Sequence, residues 1–129
     1  MKMKYLVILL LLGLSACAHN TAGIMASSTG EQRIDNSSFA SDVIVERVFI
    51  RSNADRLTAA GIIRSQVSTD THLQYKFTWY DVNGLTIEDE GMSWKALKLH
   101  GMQQMQVNSV SPTSQAVRCE LYVRKVFSN

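Results

Sequence analysis

Residues 73–85 read LQYKFTWYDVNGL, and this stretch decides which fold the chain can adopt. Large apolar side chains occupy every second position of its first half: Leu73, Tyr75, Phe77 and Trp79. A two-residue period is typical of a β-strand with one buried face, so we predict that this face points into a core with Trp79 at its centre. The Asn83-Gly84 pair that follows predicts a tight hairpin turn, because both residue types accept a positive φ.

Short β-rich runs separated by turn residues continue on both sides of this hairpin. The candidate strands are residues 42–51, 56–68, 73–81, 85–88, a segment around Trp94 and Leu97, 102–110 and 116–127. About seven short antiparallel strands are typical of an all-β, immunoglobulin-like sandwich. We therefore predict a β-sandwich domain over residues 41–129.

The sequence predicts which face points inward for some strands, but it leaves two alternatives for one strand. Two alternations compete in residues 42–51: Val43, Val45 and Phe49, or Ile44, Val48 and Ile50. In residues 56–68 we expect three inward side chains: Leu57, Ala59 and Ile63. In the last strand the alternation places four residues on the core face: Val117, Cys119, Leu121 and Val123. We therefore predict that Cys119 is a buried, unreactive thiol.

The amino terminus has the three parts of a secretory signal peptide: Lys2 and Lys4, the apolar residues 5–14, and a small-residue exit. The apolar run is shorter than the roughly 20 residues that span a bilayer. The exit, Leu14-Ser15-Ala16-Cys17, resembles the lipobox of bacterial lipoproteins. This resemblance implies removal of residues 1–16 and acylation of Cys17, so we expect the membrane to be bound through a lipid anchor on Cys17.

Residues 18–40 are rich in small and polar residues and have no apolar periodicity. We predict that residues 17–40 form the lipidated cysteine and a flexible tether. In enteric lipoproteins an Asp directly after the lipidated Cys favours retention in the inner membrane. Because Ala18 occupies this sorting position, the resemblance implies anchoring at the periplasmic face of the outer membrane.

The charge balance argues against nucleic acid as a partner. The chain has 13 basic and 11 acidic residues, and loss of Lys2 and Lys4 with the signal leaves 11 of each. Nucleic-acid binding normally needs a surplus of basic residues to displace counterions. Seven cations would form one basic patch if their strands shared a sheet face, although scattered solvating charges are the simpler interpretation: Arg47, Arg51, Arg56, Arg64, Arg118, Arg124 and Lys125.

No arrangement of residues predicts a catalytic or metal site. His19, His72 and His100 lack metal-ligand spacing, and the acidic run 88–90 lacks the order of a calcium loop. We therefore predict no catalytic residue, no metal and no cofactor. Turn residues remain as candidate binding loops: Asp81, Asn83, Gly84, Glu88, Asp89 and Glu90.

Residues 75–85 resemble the signature of the YcfL family, small bacterial lipoproteins whose domain has no known function, and Trp94, Pro112 and residues 121–124 extend the match. The resemblance implies an immunoglobulin-like sandwich on a lipid tether. Through the gene neighbourhood of some members, it also implies a setting near activators of peptidoglycan synthases.

We expect a non-enzymatic binding or scaffold domain in the periplasm, with an envelope protein as partner. Its contact surfaces would be loops and an exposed edge strand. Two alternatives remain open. One is an enzyme or enzyme accessory that acts on an envelope polymer through the carboxylates of residues 88–90, and the other is a passive structural lipoprotein.

Overall fold

The computed structural model describes residues 22–87 and 93–126, which form nine strands and one short helix. The elements are β1 (Gly23–Ser27), β2 (Gln32–Ile34), α1 (Ser37–Asp42), β3 (Val43–Asn53), β4 (Arg56–Ser65), β5 (Thr71–Tyr80), β6 (Thr86–Ile87), β7 (Lys95–Leu99), β8 (Gln104–Val110) and β9 (Arg118–Lys125). The seven strands predicted after Asp42 correspond to β3 through β9.

The strands form two antiparallel sheets, so the predicted all-β sandwich is confirmed. The larger sheet has the order β2-β1-β9-β5. The edge of β5 that faces away from β9 pairs with two further strands, β6 and β7. The smaller sheet has the order β3-β4-β8. The first and last strands, β1 and β9, therefore lie side by side, whereas the first strand of an immunoglobulin constant domain pairs with the second.

The core forms around the inner face of β5. Leu73, Phe77 and Trp79 are buried, while Tyr75 is half-buried and meets the Phe77 ring edge-on at 6.4 Å. The Trp79 indole Nε1 donates a hydrogen bond to Ser109 Oγ on β8 at 3.0 Å, which joins the two sheets. Three residues of the predicted inner face of the last strand are buried against this core: Cys119, Leu121 and Val123. Val117 was also predicted to point inward, but it precedes the first residue of β9 and is exposed.

An irregularity in β3 explains why two alternations compete in its sequence. Val43 and Val45 are buried and pair regularly with β4, but the register shifts between Val45 and Val48. An extra residue in one strand reverses which side chains face inward. Each predicted alternation therefore describes one half of the strand, and Phe49 and Ile50 near its far end are both exposed.

The segment predicted as a flexible tether is structured from Gly23 onward. All five residues of β1 are buried, and the strand lies between β9 and β2. The prediction is therefore wrong for residues 23–40, and the domain begins at β1 rather than at residue 41. A strand that is covered on both faces has no polar–apolar alternation, which is why periodicity missed it.

Two local features hold this segment in the fold. A Cβ at Gly23 would collide with the backbone carbonyl of Val123, so only glycine allows β1 to approach β9 so closely. The short helix α1 is capped by the Asn36 side chain, which accepts a hydrogen bond from the Phe39 backbone N–H at 3.1 Å. The buried Phe39 then packs into the core.

The strand registers define two ends of the sandwich. Gly23 pairs with Arg124, which pairs with Gln74, so these residues lie at the end where the chain enters β1. We call this the entry end, and it also contains α1 and the connections 66–70 and 100–103. The opposite, distal end contains the turns at residues 28–31, 54–55, 81–85 and 111–117.

Replacing Trp79 with alanine should lower the free energy of unfolding by about 3–5 kcal/mol, because it leaves a large cavity and removes the bond to Ser109. Urea denaturation measures the change. Val82→Ala, at a side chain that is 81% exposed, is the matched control and should change stability by less than about 0.5 kcal/mol. An unchanged unfolding midpoint for Trp79→Ala would contradict the central role of this residue.

Candidate functional site

The predicted binding loop at residues 81–85 is organised by its own aspartate. Asp81 Oδ1 accepts hydrogen bonds from the backbone N–H groups of Asn83 and Leu85 at 2.9 and 3.0 Å. Gly84 has a φ of +80°, whereas Asn83 is not in the positive-φ region, so the turn differs from the predicted two-residue form. Because the carboxylate is used inside the turn, the loop presents the exposed side chains of Val82 and Leu85 instead.

The second predicted binding loop is the acidic run 88–90. Glu88, Asp89 and Glu90 lie outside the described residues. His100 Nδ1 lies 3.2 Å from Asp70 Oδ1 at the entry end, and this hydrogen bond lowers the pKa of the Asp70 carboxyl. In the described parts of the chain, no three His, Cys, Asp or Glu side chains are arranged to hold a metal ion.

The seven predicted cations do not form one patch, because they are divided between the two sheets. Arg47, Arg51, Arg56 and Arg64 lie on β3 and β4, whereas Arg118, Arg124 and Lys125 lie on β9. Arg47 stacks on the Phe49 ring at 4.4 Å, and Arg64 forms an ion pair with Glu46.

The outer face of the larger sheet carries the densest set of polar contacts. Residues on β5 and β9 that alternate with the core line this face in four directly opposed pairs: Gln74 with Arg124, Lys76 with Tyr122, Thr78 with Glu120, and Tyr80 with Arg118. Directly opposed side chains on one face lie about 5 Å apart and interact. The same register that buries Trp79 therefore assembles this outer face.

Four residues toward the distal end of the outer face, Tyr80, Arg118, Glu120 and Tyr122, form what we call the Tyr122 cluster, which is neutral within itself. Arg118 stacks on the Tyr80 ring at 4.0 Å and donates to Glu120 Oε1 at 3.0 Å. The Tyr122 hydroxyl donates a short hydrogen bond to the second oxygen of Glu120 and lies 3.3 Å from the Tyr80 hydroxyl. Burial raises the pKa of Tyr122, and the Glu120 carboxylate raises it further, so the phenol stays protonated.

Four residues toward the entry end of the outer face, Gln74, Lys76, Trp94 and Arg124, form what we call the Trp94 cluster, whose two cations have no carboxylate partner among the described residues. The Arg124 guanidinium lies 3.8 Å from the Trp94 ring centroid, and Lys76 Nζ lies 5.1 Å from it. Arg124 Nε also donates to Gln74 Oε1 at 3.0 Å. Within residues 22–87 and 93–126, neither cation forms an ion pair with a carboxylate. Two fixed cations on an indole ring suit an anionic ligand.

The sequence indicated the parts of this cluster but not their assembly. Arg124 belongs to the predicted cations and Trp94 to the family-like motif, yet the two residues are 30 positions apart. Only the pairing of β5 with both β9 and β7 brings them together. One signal was available in the sequence: cationic residues alternate with the core residues along β5 and β9, which indicates that they share the outer face of the sheet.

Cys119 lies on the inner side of the same sheet. Its thiol is buried, and burial raises its pKa to about 12. The thiolate is the reactive form of cysteine, so the folded protein holds this residue in its unreactive state.

The fold and the outer face together define a small antiparallel β-sandwich domain with a cationic and aromatic surface. The chain belongs to the family described as protein of unknown function (DUF1425), whose model matches residues 30–125. Within the described residues, no helix is long and apolar enough to cross a membrane.

Two solved structures are similar to this chain. A DUF1425 family member from Shewanella sp. pv-4 is 63% identical, with a TM-score of 0.64, over 83% of this chain and 99% of that one. Campylobacter jejuni cj0090 is 21% identical, with a TM-score of 0.55, over 64% of this chain and 85% of that one, and it supports the fold alone. A search of curated proteins gives no match.

Replacing Glu120 with glutamine should lower the pKa of Tyr122, because a neutral amide no longer opposes formation of the phenolate. The pKa should stay above its ordinary value, since burial of the phenol is the larger cause and remains. Titration of tyrosine absorbance against pH measures this, and Glu46→Gln on the smaller sheet is the matched control. An unchanged Tyr122 pKa in Glu120→Gln would show that the carboxylate is irrelevant.

The raised pKa of Tyr122 also predicts how the stability of the fold depends on pH. The folded state holds the Tyr122 proton more tightly than the unfolded state, so this contribution is complete below the ordinary tyrosine pKa of about 10 and is lost as the pH rises above it. Tyr122→Phe should therefore show a smaller fall in Tm than the wild type in that alkaline range.

Proposed function

We propose that this protein is a bacterial cell-envelope lipoprotein of the YcfL type, with a non-enzymatic binding or scaffold domain. The signal peptide is removed before Cys17, acyl chains on Cys17 hold the chain at the periplasmic face of the outer membrane, and Ala18 permits sorting there. The signal-like residues 1–16 and the lipobox support the anchoring. Several buried acyl chains make such an anchor effectively permanent.

One observation carries the proposal of a presented domain: β1 begins at Gly23, with five residues between it and Cys17. At about 3.4 Å per residue, this link reaches at most roughly 20 Å. The anchor would therefore hold the entry end close to the membrane. Because β5 spans about 30 Å, the turn at residues 81–85 would project away from the membrane into the periplasm.

The surface features favour binding over catalysis. The Asp81 carboxylate is occupied within its turn, whereas the neighbouring Val82 and Leu85 side chains are exposed and free to contact another protein. In the described part of the chain, β8 pairs only with β4, and its sequence QMQVNSV is uncharged. An uncharged edge strand can accept an extended segment of another protein. An envelope protein, with a link to peptidoglycan synthesis, is the partner we propose.

Replacing Cys17 with alanine should leave the fold intact but give an uncleaved or unanchored protein, because the alanine side chain cannot form a thioether. Fractionation of cells and the mass of the amino-terminal peptide measure the change. Thiol counting gives a second measure: the unfolded wild type should show one reactive thiol, from Cys119, because the Cys17 sulfur is blocked. A processed, membrane-bound Cys17→Ala protein, or two thiols in the wild type, would contradict the lipid anchor.

The main alternative is an enzyme or accessory that uses the acidic run, and a triple variant separates it from a binding domain. Changing Glu88, Asp89 and Glu90 together to alanine should leave growth and envelope integrity close to wild type if the domain only binds. Loss of a measurable hydrolytic activity on an envelope polymer would favour the enzyme. A passive structural lipoprotein would instead give no specific adduct when photo-crosslinkers are placed at Asn83 and Gly84.

A further inference from the structure

We propose that the Trp94 cluster, formed by Gln74, Lys76, Trp94 and Arg124, docks the domain onto the anionic phospholipid headgroups of the membrane that holds it. This inference rests on the lipid attachment at Cys17 proposed above. It adds a second contact with the membrane, made by the folded domain itself, to the covalent anchor.

The length of the link places this cluster within reach of the bilayer. Gly23 is the direct strand partner of Arg124, which is in turn the partner of Gln74. Adjacent strands lie about 5 Å apart, so the cluster begins one strand away from the residue where the chain enters the domain. With only five residues between Gly23 and Cys17, the link keeps Gly23 within roughly 20 Å of the headgroups.

The chemistry of the cluster matches a membrane interface. Tryptophan is enriched at the headgroup level of membranes because its ring is apolar while its N–H is polar. Long cationic side chains cover apolar surface with their stems and place their charges among the phosphates. Here Lys76 and Arg124 are held on the Trp94 ring at 5.1 and 3.8 Å, so the cations and the aromatic ring form one surface.

The charge distribution favours the entry half of the outer face over its distal half. In the Tyr122 cluster the Arg118 charge is paired with Glu120, and the contacting phenols are protonated. In the Trp94 cluster the described residues supply no carboxylate partner for Lys76 or Arg124. An anionic membrane surface attracts basic residues within about 10 Å.

The test uses the full-length lipoprotein reconstituted in vesicles of phosphatidylcholine alone, or of phosphatidylcholine mixed with phosphatidylglycerol. Lipids with a spin label on the headgroup quench a tryptophan that touches them. The chain has two tryptophans, and Trp79 is buried, so Trp94→Phe gives the background. We expect Trp94 to be quenched more strongly in the anionic vesicles. Added salt should release Trp94 from the headgroups and remove this extra quenching, while the lipid anchor on Cys17 keeps the protein attached to the vesicle.

The decisive variant is Lys76→Gln with Arg124→Gln. At roughly fivefold for each cation, it should lower the ratio of docked to undocked domain in anionic vesicles by about 25-fold. Arg47→Gln with Arg51→Gln is the matched control, because it removes two exposed cations from the smaller sheet, one of them stacked on an aromatic ring. Thermal unfolding verifies that both variants fold.

The outcomes separate this inference from the anchor on which it rests. Protein that floats with neither kind of vesicle and carries no acyl mass on Cys17 would overturn both. Protein that floats with both kinds, but whose Trp94 is quenched equally in them, would overturn docking alone. Equal quenching in both kinds of vesicle, together with protection of Trp94 from the quencher by added peptidoglycan, would assign the cluster to glycan binding. That result would also overturn docking to the membrane.

Discussion

The burial of one face of β5 is the constraint on which the rest of the structure depends. Leu73, Phe77 and Trp79 reach the core only in one register, and a shift by one residue would bury Lys76 and Thr78 instead. That register is shared with β9 over eight residue pairs. The outer face is therefore the reverse side of the core, and its opposed pairs follow from the same burial.

The two halves of the outer face differ in charge because different side chains contact the cation in each half. Arg118 has Glu120 two residues away on its own face, so its charge is compensated locally. Arg124 has Gln74 and Trp94 as its contacts, and these hold its position without neutralising it. Although its 13 basic and 11 acidic residues are nearly balanced in number, the chain therefore presents two cations without a described carboxylate partner near the residue where it enters β1.

The parts of the fold that alternate between polar and apolar residues were predictable, and the parts covered on both sides were not. β5 and β9 each have one face on the core, so their alternation is visible in the sequence. In β1, Ile24 and Ala26 belong to the core cluster, while Met25 on the other face is only 7% exposed. Met25 lies between its strand partners Arg33 and Tyr122, which cover it.

The sequence by itself determined the strands from β3 to β9, the central position of Trp79 and the signal-like amino terminus, because each of these depends on residues that are neighbours in the chain. Tertiary structure alone decided that β1 joins the larger sheet, and it also decided that Trp94 meets Lys76 and Arg124. These contacts join residues that are 18 to 101 positions apart in the sequence. Local periodicity carries no information about such pairings, which form only when the sheets close around a common core.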